Sequence, residues 1–178
     1  AVMLCGPSKS GKTAVALELT RLGFQVVSSN QTLVSISRDG LVALVVGGTG
    51  AITARPGVTA TALGPSSVGP SPFVNTLIGQ VKLPIPTPLR LLAVFFLASW
   101  PDPVVCRPCG AAGRFLFAAF SERARLSVVF ENSRLVSWPF DDPARCEKRL
   151  QHAHQIAALA PVYEIAGTWS SVAREVIG

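Results

Sequence analysis

Residues Gly6-Pro7-Ser8-Lys9-Ser10-Gly11-Lys12-Thr13 satisfy G-x-x-x-x-G-K-[ST], the spacing that cradles the phosphates of a nucleoside triphosphate. The chemistry needs those residue types. Glycines let the chain turn tightly and aim successive backbone N–H groups at phosphate oxygens, and a helix that starts within the loop offers its positive end to the same anion. Lys12 would reach the β- and γ-phosphates, and the Thr13 hydroxyl would hold Mg²⁺. The predicted nucleotide-binding segment is thus Gly6, Pro7, Ser8, Lys9, Ser10, Gly11, Lys12, Thr13 and Ala14, with ATP or GTP as ligand and Mg²⁺ as cofactor.

Such a loop works only between a strand and a helix, and the flanks supply both. Val2-Met3-Leu4-Cys5 is a short apolar run of the kind buried on both faces of a sheet. Lys12 to Leu22 reads as a helix with Val15, Ala16, Leu19 and Leu22 on one face and Gly23 as its C-cap. Phe24 to Ser28 reads as a second strand completing a β-α-β unit, which would put Ser28, Ser29 and Asn30 at a strand end facing the nucleotide. Thr32–Ser37 and Leu41–Val46 form a hairpin about Arg38-Asp39-Gly40, so the sheet is expected to be mixed. Gly47-Gly48-Thr49-Gly50 is expected to break its second arm, and Ala51 to Arg55 resumes as a strand.

From Pro56 to Pro88 the chain is crowded with Pro, Gly, Ser and Thr and reads as a surface lobe or substrate-facing flap, with plain disorder as the alternative. Leu89 to Leu97 reads as one buried strand and Ala111 to Arg123 as a helix, whereas Leu126 to Val136 fits either. Asp141-Asp142-Pro143 is a helix start, with a capping side chain and proline at the first helical position, and Arg145 to Leu159 carries the helix. Pro161 to Ile165 gives a last strand, and Ser170 or Ser171 would cap a terminal helix.

The whole of 1–178 is expected to be a single domain. Its 49% apolar and 15% charged residues make it lean in charge, yet no segment reaches the roughly 18 uninterrupted apolar residues of a membrane span. A signal-peptide pattern is missing at the start, so a cytoplasmic location is expected. The net charge of +6 is spread along the chain rather than clustered, which argues against a nucleic-acid surface. Of the four cysteines, Cys106 and Cys109 make a C-x-x-C that a zinc site would have to complete with Cys146, His152 or His154 from far downstream. Free thiols at the start of a helix are the preferred reading.

The run G-x-S-x-S-G-K-T-A-V-A-L-E-L-x-x-x-G-F-x-V-V at Gly6 to Val27 resembles the catalytic domain of the HPr kinases. The hairpin, the proline-rich stretch, the V-F-F-L strand and the closing A-L-A-P-V-Y-E-I at Ala158 to Ile165 follow in the order seen there. The resemblance implies an α/β P-loop domain with a mixed sheet flanked by helices, of the HPr-kinase and phosphoenolpyruvate-carboxykinase type. It also implies transfer of a phosphoryl group from ATP to a hydroxyl acceptor, on a protein serine, a peptide or a small metabolite, and a homo-oligomeric assembly.

That family ends its second strand in a pair of aspartates, one a base toward the acceptor and the other a metal ligand; the matching positions here are Ser29 and Asn30. Neither can act as a base near neutral pH, and general-base help is typically worth about 10²–10⁴-fold. Phosphoryl transfer depends more on positioning and charge neutralisation, and Asn30 could still offer its amide oxygen to Mg²⁺. The expected site is then Lys12, Ser29, Asn30 and Arg55 for catalysis, and Thr13 and Asn30 for metal; Arg55, at the end of a strand near the flap, either steadies the transferred phosphate or is a surface arginine. The competing expectation is a protein that binds nucleotide without efficient transfer and acts through a partner. Asp102, after the Leu91–Ser99 run, is a substitute carboxylate; Asp39 suits its turn, and Glu18, His152 and His154 suit helix surfaces.

Overall fold

The computed structural model describes residues 1–7, 10–29, 31–49, 51–54, 76–80, 88–98, 103–126, 128–131, 134–137 and 142–178, with the main chain alone for 51–54, 76–80, 122–126, 128–131 and 134–137. In chain order the first elements are β1 (Val2–Cys5), α1 (Lys12–Arg21), β2 (Thr32–Ile36), β3 (Ala43–Gly48), β4 (Ala51–Ala54), β5 (Thr76–Gln80), β6 (Leu89–Arg90) and β7 (Ala93–Leu97). They are followed by β8 (Val105–Pro108), α2 (Ala112–Leu126), β9 (Val128–Glu131), β10 (Arg134–Ser137), α3 (Pro143–Leu159), β11 (Val162–Ala166) and α4 (Trp169–Ile177).

The central sheet has the order β1-β7-β11-β8, with β1, β7 and β11 parallel and β8 antiparallel at its edge. The most apolar strand, β7, lies between two neighbours, and its alternation divides the core. Val94 and Phe96 pack with Leu116 of α2 and Ala153 and Ile156 of α3, whereas Phe95 and Leu97 face Val15 and Leu19 of α1 and Val172 and Ala173 of α4. Both faces of the sheet are therefore covered by helices, which is why β7 shows no polar side. The protein is an α/β fold with a mixed open sheet flanked by helices.

Three strand expectations are corrected. Phe24 to Ser28 forms no strand, and Phe24 is exposed; the parallel neighbour of β1 is β7 instead. The single strand expected over Leu89 to Leu97 is two. Leu91 N–H donates to the Ala43 carbonyl (2.8 Å) and Leu92 N–H to the Ala1 carbonyl (2.7 Å), so the chain passes from β3 to β1 between adjacent residues. Accordingly β6 belongs with β2 and β3 in a separate antiparallel sheet, order β2-β3-β6, and the hairpin is not what makes the central sheet mixed. The glycines at 47 and 48 continue β3 rather than breaking it. A Cβ on Gly48 would lie 1.9 Å from Ser28 Oγ and 2.3 Å from the Gln31 carbonyl oxygen, so the missing side chain admits the crossing segment.

Elsewhere local signals predicted local structure. Asp142 caps α3 by accepting from Arg145 N–H (2.8 Å), with Pro143 in the first turn. The segment from Leu126 to Val136, readable as helix or strand, contains the end of α2 and the antiparallel pair β9 and β10. The cap of α4 is Thr168 rather than Ser170 or Ser171; its hydroxyl accepts from Ser171 N–H (3.4 Å). Within 56–88, Thr76–Gln80 is a strand paired with β4, and the remainder of the expected flap, apart from Pro88 itself, lies outside the described residues.

Candidate functional site

Because β1 and β7 run parallel, Cys5 and Phe96 end side by side, about 4.8 Å apart, and the loop from Gly6 leaves from that edge. The connection after β1 leads to α1 on one face of the sheet, and α2, which follows β8, lies on the other.

Gly6 opens the loop at φ 143°, and a Cβ there would lie 2.8 Å from both the Leu97 carbonyl oxygen and Ser10 Oγ. Only glycine lets the loop lie this close to the end of β7. Gly11, at φ 87°, precedes the first helical residue of α1, and Ser10 N–H donates to the Pro7 carbonyl (3.2 Å). The Lys12 ammonium folds back on the loop, donating to the carbonyls of Gly6 (2.8 Å) and Pro7 (2.7 Å). No acidic residue occupies the first turn of α1, so the positive end of the helix is not neutralised there. Thr13 is half-buried in that turn, and Ala14 is buried.

Ser10 is 7% exposed, and among the described residues its buried hydroxyl has no hydrogen-bond partner. An unsatisfied buried hydroxyl costs about 1–3 kcal/mol. The sequence motif assigns this side chain no task, and its burial against Gly6 could not be read from the spacing.

No protein-family model, no curated protein and no solved structure matches this chain.

Of the expected acceptor-side residues Ser29, Asn30 and Arg55, the structure describes Ser29. Ser29 belongs to the segment leading into β2, where its N–H donates to the Thr49 carbonyl (3.0 Å) and its hydroxyl lies 3.3 Å from Thr49 Oγ1. With no strand at 24–28, the reason for placing Ser29 at a strand end beside the phosphates is removed. Ser8, Lys9, Asn30, Arg55 and Asp102 lie outside the described residues. The residues that do share the edge of the loop are those after β7 and β11: Ala98, whose N–H donates to the Ile165 carbonyl (2.9 Å), and Gly167-Thr168 at the start of α4. The apolar density of Leu91–Leu97 was the available signal, since a strand buried on both faces belongs beside the loop-bearing strand rather than at an edge.

The remaining candidates have structural duties. Glu18 pairs with Arg21 along α1 (3.1 Å), and Asp39 holds its turn by accepting from Leu41 N–H (3.1 Å) and the Ser37 hydroxyl. His154 is exposed and lies over Gly113 between α2 and α3. Cys106 sits in β8 rather than at a helix start, and Cys109 is buried three residues before α2. All four cysteines are free thiols, and among the described residues no group of three or more His, Cys, Asp or Glu side chains could hold a metal ion. Burial pushes the thiols of Cys106 and Cys109 above the ordinary range, with Glu175 adding to the first and Glu164 to the second. A raised thiol pKa disfavours a nucleophilic role. Among the described residues no helix is long and apolar enough to cross a membrane.

Proposed function

We propose that this chain is a P-loop kinase of the HPr-kinase-like type, binding Mg–ATP or Mg–GTP at Gly6–Ala14 and transferring the γ-phosphoryl group to a hydroxyl acceptor. The observation that carries the reading is that Gly6 leaves the end of β1 against Leu97 of the parallel neighbour β7, and that Gly11 leads directly into α1 at Lys12 and Thr13. Backbone N–H groups of the loop and the end of α1 suit the β- and γ-phosphates, and the Lys12 ammonium, which donates to the Gly6 and Pro7 carbonyls, is placed beside them. Thr13 is the described residue suited to Mg²⁺, which supplies neutralisation of the phosphate charge when bound. In the transfer the acceptor oxygen forms a new bond to the γ-phosphorus, the β–γ bridging bond breaks with its electrons on the departing diphosphate, and the hydroxyl proton passes to water. Lys12 would stabilise charge on the equatorial and bridging oxygens.

A second reading, nucleotide binding without efficient transfer, is favoured by Ser29. Its hydroxyl is engaged with Thr49, and a serine is no base at neutral pH. Calorimetric titration with Mg–ATP and release of ADP in the presence of serine peptides divide the two. The kinase reading expects binding, acceptor-dependent ADP release, and loss of both in Lys12→Ala; tight binding with no ADP release for any acceptor supports the second. If Lys12→Ala binds Mg–ATP as the wild type does, both readings fail.

A further inference from the structure

We propose that two copies of this chain associate by antiparallel pairing of β2 with β2, so that the sheet β2-β3-β6 continues through both subunits. The pairing lies outside Gly6–Ala14 and is independent of the nucleotide reading.

The hydrogen-bond phase of β2 fixes what its outer edge offers. Ser37 N–H donates to the Val42 carbonyl (2.9 Å), so in the alternation of an antiparallel ladder the main-chain groups of Ser35 face Leu44, while those of Val34 and Ile36 point away from β3. Ala43, opposite Ile36, agrees: its carbonyl is turned to the other side and accepts from Leu91 N–H (2.8 Å). Among the described residues β2 is the last strand of its sheet, and a register shift between Leu33 and Val34 leaves Val34–Ile36 as the regular part of the edge. Thr32–Ile36 carries neither charge nor proline, and Leu33 is 61% exposed. The β8 edge of the central sheet is built differently. Cys109 N–H donates to the Val162 carbonyl (2.8 Å), so Pro108 faces outward from β8, where it has no N–H to give, and the largely exposed Arg107 precedes it. That edge resists strand addition, and the edge at β2 is open to it.

Self-complementarity sets the occupant. With a two-fold axis at Ser35, the N–H and C=O of Val34 meet the C=O and N–H of the partner's Ile36, and the symmetric pair repeats both bonds. The Ile36 carbonyl, which accepts from the Ser35 hydroxyl (3.3 Å), exchanges that bond for a main-chain donor. The two Ser35 side chains stand opposite each other, with about 4.5 Å between Cα atoms. Leu33 lies beside the partner's Ser37, Arg38 faces the partner's Thr32 and Asp39 the partner's Gln31, so no like charges oppose. So short a register makes the dimer weak and concentration-dependent.

Sedimentation equilibrium over a concentration series, on the wild type, Ser35→Lys and Ser35→Asp, tests the pairing, with thermal unfolding as the check that each variant folds. Each variant alone should self-associate about fivefold more weakly at low salt, because like charges meet across the axis, and an equimolar mixture of the two should recover wild-type association. In the wild type, hydrogen exchange at the Val34 and Ile36 amides should slow as concentration rises. Variants that associate as the wild type does, or a mixture no tighter than either alone, overturn the pairing through Ser35. A wild type that stays monomeric at the highest attainable concentration, or amides at Val34 and Ile36 whose exchange ignores concentration, overturns the dimer.

Discussion

The first glycine of the loop, Gly6, lies against the last residue of β7, Leu97, so closely that a Cβ on Gly6 would stand 2.8 Å from the Leu97 carbonyl oxygen. This contact joins the candidate site to the most buried strand of the sheet. In Gly6→Ala the obstacle is main chain, which cannot swing aside, and φ 143° is strained for any side chain. A loss of about 2–4 kcal/mol in chemical denaturation is expected, together with loss of Mg–ATP binding. An alanine variant as stable as the wild type would show that the loop does not sit against β7.

Arg107 and Glu164 face each other across the antiparallel β8–β11 ladder, with the guanidinium Nε (3.0 Å) and Nη2 (2.7 Å) both donating to Glu164 Oε2. Cys109 Sγ lies 3.7 Å from the other carboxylate oxygen. Arg107 is largely exposed, so screening limits the pair, but Glu164 is mostly covered and loses more if left alone. Arg107→Ala should lower stability by about 1 kcal/mol, and Arg107→Lys should recover only part, since an ammonium cannot present two N–H donors in a plane. Urea denaturation of the two variants at low and high salt checks both the size and the screening.

Asp39 supplies a pH dependence whose direction is set by its turn. Hydrogen bonds from the Ser37 hydroxyl and from Leu41 N–H hold its carboxyl below the ordinary carboxylate range in the folded protein. A depressed folded-state pKa contributes stability that is complete above the unfolded-state value and is lost as pH falls through the folded-state value. The stability difference between the wild type and Asp39→Ala should thus be steady near neutrality and shrink in acid below the ordinary carboxylate range. Thermal unfolding across that range measures it; a difference that grows in acid contradicts the assignment.

Gly113 and His154 form the tightest point between α2 and α3, where a Cβ on Gly113 would fall 2.3 Å from His154 Nδ1. Gly113→Ala should cost about 1–3 kcal/mol, because the body of the imidazole ring must move. In a His154→Ala background the same change should become neutral or gain about 0.5 kcal/mol from helix propensity. A double-mutant cycle with less than about 0.5 kcal/mol of coupling would mean the two helices do not meet at this pair.

Much of the candidate site could be read before any fold was known. Gly6–Thr13, the helix from Lys12, the turn at Arg38-Asp39-Gly40 and the Asp142-Pro143 helix start each depend on bonds between residues a few positions apart, and their residue types state those bonds directly. Phe24–Ser28 misled because an aromatic and two valines are residue types a strand favours, yet its neighbours in space, not its own residues, decide whether a ladder forms. The Leu89–Leu97 run concealed a change of sheet at Leu91-Leu92 for the same reason: both leucines are apolar, and the acceptor each N–H finds, Ala43 or Ala1, lies far away in the chain.

By itself the sequence determined the local chemistry of this protein: a glycine-rich loop, a lysine and a threonine at the start of a helix, and the Asp142-Pro143 start of α3. Only the tertiary structure decided which strand lies beside that loop, that Ser29 is held by Thr49, and that the Ser10 side chain is buried against Gly6. The physical reason is range. Turns and helices close hydrogen bonds within three or four residues, whereas strand pairing and burial are settled by competition among distant segments whose apolar runs look alike.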